Sequence, residues 1–361
     1  MSSSDSLGAF WVERLLTLLP YKYYFNSVFL GLIYIVSMWL VGAVVPNGLA
    51  RVSHDLGLYL VTITLVLVLF TVYKYVSYLR KFLVDVVKDY FDVDWGVVSS
   101  LWRLSTGWPC ILFGFIGILV TQLILIYKGV GLSMGDFYTG LAEMPYSGSF
   151  TFAMKYTSIP ILVVTSAFWL FFEFLAGNIF WLNISMIIIL WRIHRFGSKV
   201  GSIIDPRVTS YLNSAGRLIL YSIAMPTVAM FMTPTVFTMP RIFAELTSIY
   251  FYGYYVYLGY IIFLIAASSV ILYMWVNGIK EDELNIIRPK VLDVRKMLDK
   301  GLTLDNGSYL NYLIIMHLED KIRKASVAPL SLDTIYKVVT IIVLPLLVQL
   351  LAQLIIFVLR I

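Results

Sequence analysis

LGLYLVTITLVLVLFTVYKYVSYL (56–79) is a run of 24 residues in which Lys74 is the one charged side chain. A hydrocarbon layer about 30 Å thick is crossed by about 20 apolar residues in a helix, and a helix also satisfies every backbone polar group within the segment. The run has the required length and composition. It therefore predicts a membrane-spanning helix, and the rest of the chain repeats the pattern.

Six further stretches of the 361-residue chain qualify as spans. The seven predicted segments are 24–46, 56–79, 108–127, 157–192, 217–239, 248–277 and 334–360. Hydrophobic residues make up 60% of the chain and charged residues 13%, against about 25% charged residues in a soluble domain. The sequence thus predicts an all-α, polytopic seven-helix transmembrane bundle in the cell membrane, and it excludes a soluble enzyme or a nucleic-acid-binding protein.

Lysine and arginine are distributed unevenly among the predicted loops. The N-terminal segment and the even-numbered loops carry twenty of these residues, whereas the odd-numbered loops and the C-terminus carry five. Because cationic loops are retained in the cytoplasm, we expect a cytoplasmic N-terminus and an extracellular C-terminus. The net charge of +6 then reflects topology and attraction to anionic membrane lipids, without a nucleic-acid partner.

Two predicted spans exceed the thickness of the bilayer. At about 1.5 Å per residue, 157–192 would form a helix of about 54 Å and 248–277 one of about 45 Å. Amphipathic patterns continue at 80–91, 290–300 and 308–326, where apolar residues recur at helical spacing. Together these features predict a cytoplasmic helical layer whose apolar faces pack against each other or against neighbouring subunits.

The pattern divides the chain into three parts. Residues 1–277 hold the first six transmembrane helices and their cytoplasmic extensions, 278–333 form a cytoplasmic anchor segment, and 334–361 form a C-terminal span. The N-terminal stretch 8–23 is apolar with interspersed charges and predicts an interfacial helix that leads into the first span.

Glu173 is the single carboxylate well inside a predicted span, and Gln122 and Asn178 are amides at membrane depth. An ionisable group at that depth costs about 3 kcal/mol or more unless it is paired or protonated, which makes it a functional candidate. Two interpretations stay open. Glu173 is either a packing residue hydrogen-bonded to Gln122, Asn178 or a tyrosine, or the ion or ligand contact of a secondary transporter.

The outer halves of the predicted helices are rich in aromatic and methionine side chains, most densely in SIYFYGYYVYLGY (248–260). Rings with one polar tip, mixed with flexible methionine, suit a pocket for small apolar molecules. Plain interhelical packing is the alternative. The predicted pocket residues are Tyr59, Phe168, Trp169, Met230, Met232, Tyr250, Tyr254 and Tyr257.

The last predicted helix, DTIYKVVTIIVLPLLVQLLAQLIIFVLRI (333–361), contains two amides in an otherwise apolar span. Gln349 and Gln353 share one face, and Leu346 lies about one turn earlier. Buried amides of this kind either hold helices together or line a wet path. If one such helix per subunit surrounded a symmetry axis, these glutamines and Leu346 would form rings that line a path for cations with little selectivity.

Enzyme and metal chemistry find little support in the sequence. Asp85, Asp89, Asp92 and Asp94 could hold Mg²⁺-pyrophosphate in a lipid-modifying enzyme, but such enzymes need a second aspartate-rich motif, and lysines interrupt this one. With one cysteine, Cys110, and three separated histidines, no metal-ligand spacing occurs. We expect no cofactor, no metal and no enzymatic activity, and a lipid-modifying enzyme is the least favoured alternative.

Leu332 and Asp333 open the last predicted helix, Thr340 follows, and Gln349 lies near its extracellular part. Together with the topology, this arrangement resembles the insect odorant and gustatory receptor superfamily. Its members have seven helices, a cytoplasmic N-terminus, helices that extend into a cytoplasmic layer and a final pore helix. A Leu-Asp pair opens that helix, small or β-branched residues follow, and a glutamine lies near its extracellular part. Leu332, Asp333, Thr340 and Gln349 stand in the corresponding arrangement.

The resemblance implies a homotetrameric, non-selective cation channel with gating by a small apolar ligand. The seventh helix of each subunit would line a central pore, in which Gln349 is the pore glutamine and Leu346 the hydrophobic constriction. The cytoplasmic layer would be the main intersubunit anchor, and the ligand pocket would fall on the outer aromatic cluster.

Overall fold

The structure is a computed structural model in which almost every described residue is helical, and no strand occurs among the described residues. The described residues are 7–18, 22–44, 56–88, 91, 93–127, 159–196, 205–229, 244–299, 306–324 and 340. The predicted all-α class is therefore confirmed. Numbered in chain order, the helices are α1 (Trp11–Leu16), α2 (Tyr23–Val44), α3 (Leu56–Lys81), which continues as a π-helical turn (Phe82–Lys88), α4 (Trp95–Thr106), α5 (Trp108–Tyr127), α6 (Ile159–Phe196), α7 (Pro206–Ala229), α8 (Ala244–Asp299) and α9 (Asn306–Lys324).

Five stretches of these helices are long and apolar enough to cross a membrane, as expected of a membrane protein. They are Tyr23–Val44, Thr62–Lys88, Trp95–Leu123, Leu170–Arg195 and Leu258–Asp293. The predicted fifth span, 217–239, falls partly on α7, which is not one of the five, and its end lies outside the described residues. Apart from the helical Thr340, the predicted seventh span lies outside them as well.

The apolar core lies where α3, α6, α7 and α8 pack together, and α4 and the π-helical turn extend it. Tyr75 is fully buried on α3, and its hydroxyl donates to the Leu182 carbonyl on α6 at 3.0 Å. Tyr211 of α7 packs against Trp275 of α8 with ring centroids 4.7 Å apart. By contrast, α2 and α5 each keep a broad apolar face exposed, which suits contact with lipid.

α7 begins with two local signals that the sequence shows plainly. Asp205 precedes Pro206, and proline is well tolerated at the first helical position because its missing N–H would have no helical partner. The Asp205 carboxylate accepts a hydrogen bond of 2.9 Å from the backbone N–H of Arg207, which caps the helix. The side chain of Arg207 also donates to this carboxylate and holds the pKa of Asp205 below its usual value.

α8 is one continuous helix of 56 residues, about 84 Å long at about 1.5 Å per residue. Residues 290–299 of the amphipathic stretch 290–300 are helical but belong to α8, which continues through Pro289, and do not begin a helix of their own. The expected boundary between 277 and 278 falls inside α8. The second amphipathic stretch does form its own helix, α9, which runs back along α8 so that Lys280 donates to the carbonyl of Arg323 at 2.8 Å.

α1 differs from the interfacial helix expected at 8–23. It is six residues long, and its side chains Val12, Glu13 and Leu16 are buried in the bundle. The preceding Phe10 is also buried and belongs to the apolar core. An interfacial helix would leave its polar face in water, whereas α1 buries Glu13 against Arg80 of α3 and keeps Arg14 exposed.

Candidate functional site

Glu173 of α6 lies against Gln122 of α5. The amide Nε2 of Gln122 donates to both carboxylate oxygens of Glu173, each at 3.0 Å. Glu173 is 5% exposed, and Gln122 is half-buried. A carboxylate inside an apolar bundle needs such a partner because water is scarce there. The contact joins two of the residues that the sequence singled out, while Asn178 takes other partners.

α5 and α6 make the most extensive helix contact in the described part of the chain, and glycines allow their backbones to approach. A Cβ atom on Gly117 would lie 2.6 Å from the carbonyl oxygen of Glu173 and 3.0 Å from Gly177 Cα. A Cβ atom on Gly177 would collide with the Phe113 carbonyl oxygen. Small residues are the usual means by which apolar helices pack closely without a hydrophobic driving force.

Asn178 is fully buried and connects three helices. Its Oδ1 accepts hydrogen bonds from the indole N–H of Trp11 at 3.2 Å and from the thiol of Cys110 at 2.9 Å. Its Nδ2 donates to the carbonyl of Phe174 at 2.7 Å. Every polar atom of the side chain therefore has a partner, and the N-terminal helix α1 is tied to the α5–α6 pair through one amide.

An ion pair between the buried Glu13 and the partly exposed Arg80 ties α1 to α3. Arg80 donates to the carboxylate of Glu13 at 2.5 Å, and the two side chains are 24% and 7% exposed. The guanidinium also lies 4.8 Å from the ring centroid of Trp102 on α4. The indole N–H of Trp102 in turn donates to the carbonyl of Gly8 at 3.1 Å. This cluster lies where α1, α3 and α4 meet.

The predicted ligand pocket is described only in part. Phe168 packs on Tyr34 of α2 with ring centroids 4.2 Å apart, and Tyr59 is half-buried on α3. The side chains of Trp169, Tyr250, Tyr254 and Tyr257 lie outside the described part of the structure, although their backbones belong to α6 and α8; Met230 and Met232 lie outside it entirely. The pore candidates Leu346, Gln349 and Gln353 also lie outside the described residues.

The acidic cluster forms no metal site among the described residues. No group of three or more histidine, cysteine or acidic side chains comes together there. Asp85 lies in the π-helical turn and Asp94 immediately precedes α4, while Asp89 and Asp92 lie outside the described residues.

Several contacts of the buried polar groups were not anticipated from the sequence. Trp11, Glu13 and Arg80 tie α1 to the bundle, and Ser222 donates to the Oδ1 of Asn183 at 2.6 Å between α7 and α6. The signal for the first contact was a carboxylate in an otherwise apolar stretch, at Glu13. It identifies a group that needs a partner, but it does not say which of the 27 lysines and arginines provides one.

Comparison with models of known protein families, with curated proteins and with solved structures found no match. The function is therefore a matter for proposal, from this chain's own residues and from the resemblance that its topology and C-terminal segment carry.

Proposed function

We propose that the chain is one subunit of a homotetrameric, non-selective cation channel of the cell membrane. The C-terminal span (334–361), the seventh predicted from the sequence, would line a central pore. The N-terminus would be cytoplasmic and the C-terminus extracellular, as the distribution of lysine and arginine predicts. The seven-span topology is part of the same proposal. The observation that supports it most directly is the hairpin of α8 and α9. α8 is longer than a membrane span requires, and α9 packs against its excess length.

α8 is nearly three times as long as a span of about 20 residues. α9 runs back along it and buries Ile322, yet α9 keeps a broad apolar face exposed. The residues of that face are Leu310, Leu313, Ile314 and Leu318. An apolar face of this kind on a projecting hairpin is a suitable contact for the same hairpin of neighbouring subunits, which is where the proposed tetramer needs its anchor.

The pore assignment predicts altered ion conduction when the pore candidates are shortened. We expect Gln349→Ala and Leu346→Ala each to change single-channel conductance or the permeability ratio of cations at least twofold in reconstituted liposomes, because each residue would form a ring of four side chains around the ion path. The matched control is Val36→Ala, which shortens an exposed side chain on α2. Unchanged conductance and selectivity in both pore variants would remove the assignment.

A small apolar ligand would bind among Tyr59, Phe168 and the aromatic cluster 248–260, and it would favour the open arrangement by binding it more tightly. The contact between Phe168 and Tyr34 supports this proposal, since it brings aromatic side chains of α2 and α6 together.

A secondary transporter is the alternative, and the contact between Glu173 and Gln122 is the observation that favours it. A buried carboxylate that accepts from an amide could bind and release a proton or a cation. One variant distinguishes the channel from the transporter. We expect Glu173→Gln to leave the cation currents of the reconstituted protein within about twofold of the original, because under the channel proposal this residue packs α5 on α6.

Flux measurements at several ion gradients would decide between the two. Substrate uptake that is coupled to a proton or ion gradient, and that Glu173→Gln abolishes, would establish the transporter. Gln122→Leu serves as the second variant, since it removes the amide donors while leaving the carboxylate in place.

A further inference from the structure

α1 is too short to be helical by itself. Isolated helices of fewer than about 12 residues are marginal in water, because the first turn fixes several residues for one hydrogen bond. α1 has six residues, and its order therefore depends on the surfaces that surround it. Such a segment has two states, docked and helical or undocked and unfolded.

The docked state is held by the ion pair between Glu13 and Arg80, whose contacts are lost together when α1 undocks. Glu13 accepts from Arg80, and its Oε2 also accepts from the backbone N–H of Phe10 at 2.9 Å. Leaving the buried Glu13 carboxylate without its cation is strongly unfavourable, whereas both groups can be hydrated together. The same guanidinium rests on Trp102, whose indole binds the backbone just before α1. The contacts therefore form and break together.

Trp11, the first residue of the docked helix, meets Cys110 at a shared acceptor. The indole of Trp11 and the thiol of Cys110 donate to the same oxygen of Asn178. Cys110 is fully buried, and Trp11 packs edge-on against Phe171 at a centroid distance of 6.2 Å. Removing α1 would take one donor from Asn178 and uncover the side of the α5–α6 pair on which the thiol lies.

We propose that α1 is a latch that docks and undocks as a unit, and that its undocking opens the Cys110–Asn178 side of the α5–α6 pair. The latch is independent of the channel assignment, because it rests on contacts among α1, α3, α4, α5 and α6. α1 would then act as a conformational switch. A ligand or lipid that binds the undocked segment, or a modification of that segment, would shift the packing of α5 on α6.

Cys110 is the only cysteine in the chain, so its labelling by a maleimide reports undocking directly. In the purified protein we expect labelling at Cys110 to be slow. Trp11→Phe removes the indole donor but keeps an aromatic ring, and we expect labelling about tenfold faster. Glu13→Gln leaves Arg80 without its counter-charge, and we expect labelling about 100-fold faster or more.

Two controls separate undocking from general loosening. Arg14→Gln alters an exposed side chain of the same helix and should leave the labelling rate unchanged. Ser222→Ala breaks a buried contact between α7 and α6 and should also leave it unchanged. Equal labelling rates in Trp11→Phe, Glu13→Gln and Arg14→Gln would overturn the proposal, and so would acceleration by Ser222→Ala as large as that by Glu13→Gln.

A second measurement needs no variant. In hydrogen exchange of the unaltered protein, the amides of α1 should exchange together and at least about tenfold faster than those of 182–193 in α6, because undocking is a local opening. Exchange of α1 as slow as that segment would overturn the latch. Neither readout requires ion conduction. A failed channel assignment with accelerated labelling would leave the latch standing, and the reverse result would leave the channel.

Discussion

Gly177→Ala is expected to lower the free energy of unfolding by about 3 kcal/mol, because the added methyl group has no room. Its Cβ would collide with the carbonyl oxygen of Phe113 and lie 2.9 Å from the carbonyl carbon, closer than such atoms approach in proteins. These neighbours are backbone atoms and cannot move aside like the end of a flexible side chain. α5 and α6 would have to separate, which would also loosen the contact between Glu173 and Gln122.

Thermal unfolding of the detergent-solubilised protein, followed by the loss of the monodisperse species after heating, measures this effect. Gly278→Ala is the matched control, because a Cβ atom there meets nothing within 4 Å. Alanine is a better helix former than glycine by about 1 kcal/mol, so this control should be neutral or slightly stabilising. Equal stability of Gly177→Ala and Gly278→Ala would contradict the close approach of α5 and α6.

Arg80→Met is expected to cost about 3–5 kcal/mol of unfolding free energy, because it leaves the Glu13 carboxylate buried without its cation. Methionine keeps most of the apolar stem of the side chain but not the guanidinium, so the contact with the Trp102 ring is lost as well. Glu13→Gln should be similarly destabilising. The double variant should cost much less than the two single costs added together, because the second substitution removes the charge that the first left unpaired.

The pair between Arg323 and Glu319 on α9 provides a matched comparison. Its atoms lie 2.6 Å apart, nearly the same separation as in the buried pair, but the Arg323 side chain is 59% exposed. We expect Arg323→Met to cost about 0.5 kcal/mol or less, because water and salt screen an exposed pair. Thermal unfolding at low and at high salt would show both effects. A loss of stability as large as that of Arg80→Met would show that burial does not decide the strength of these pairs.

The positions of the long helices could be predicted well from the sequence. The expected span 108–127 coincides with α5, and 56–79 differs from α3 by two residues at one end. Hydrophobic length is a local property, so a window of about 20 residues contains the information needed. Helix ends were less predictable. The sequence predicted that a span ends at 277 and a separate cytoplasmic segment begins at 278, whereas α8 continues to Asp299. The polar half of α8 has helical propensity, and Pro289 does not interrupt it.

The partners of the buried polar groups could not be predicted in the same way. Glu173 was identified as a residue that needs a partner, and Gln122 was one of several possibilities 51 residues away in the chain. Asn178 was identified too, but its donors Trp11 and Cys110 lie 167 and 68 residues from it. Glu13 and Arg80 were not singled out, since each alone resembles an ordinary charge near a membrane surface.

The sequence by itself determined that the chain is helical and apolar enough for a membrane, and where most of its long helices lie, because hydrophobic length and turn signals act within one or two dozen residues. Only the tertiary structure decided that α1 is buried, that α5 and α6 touch through glycine, and which polar groups meet. Those features depend on how helices pack, and packing is set by the shapes and hydrogen-bonding groups of several segments together.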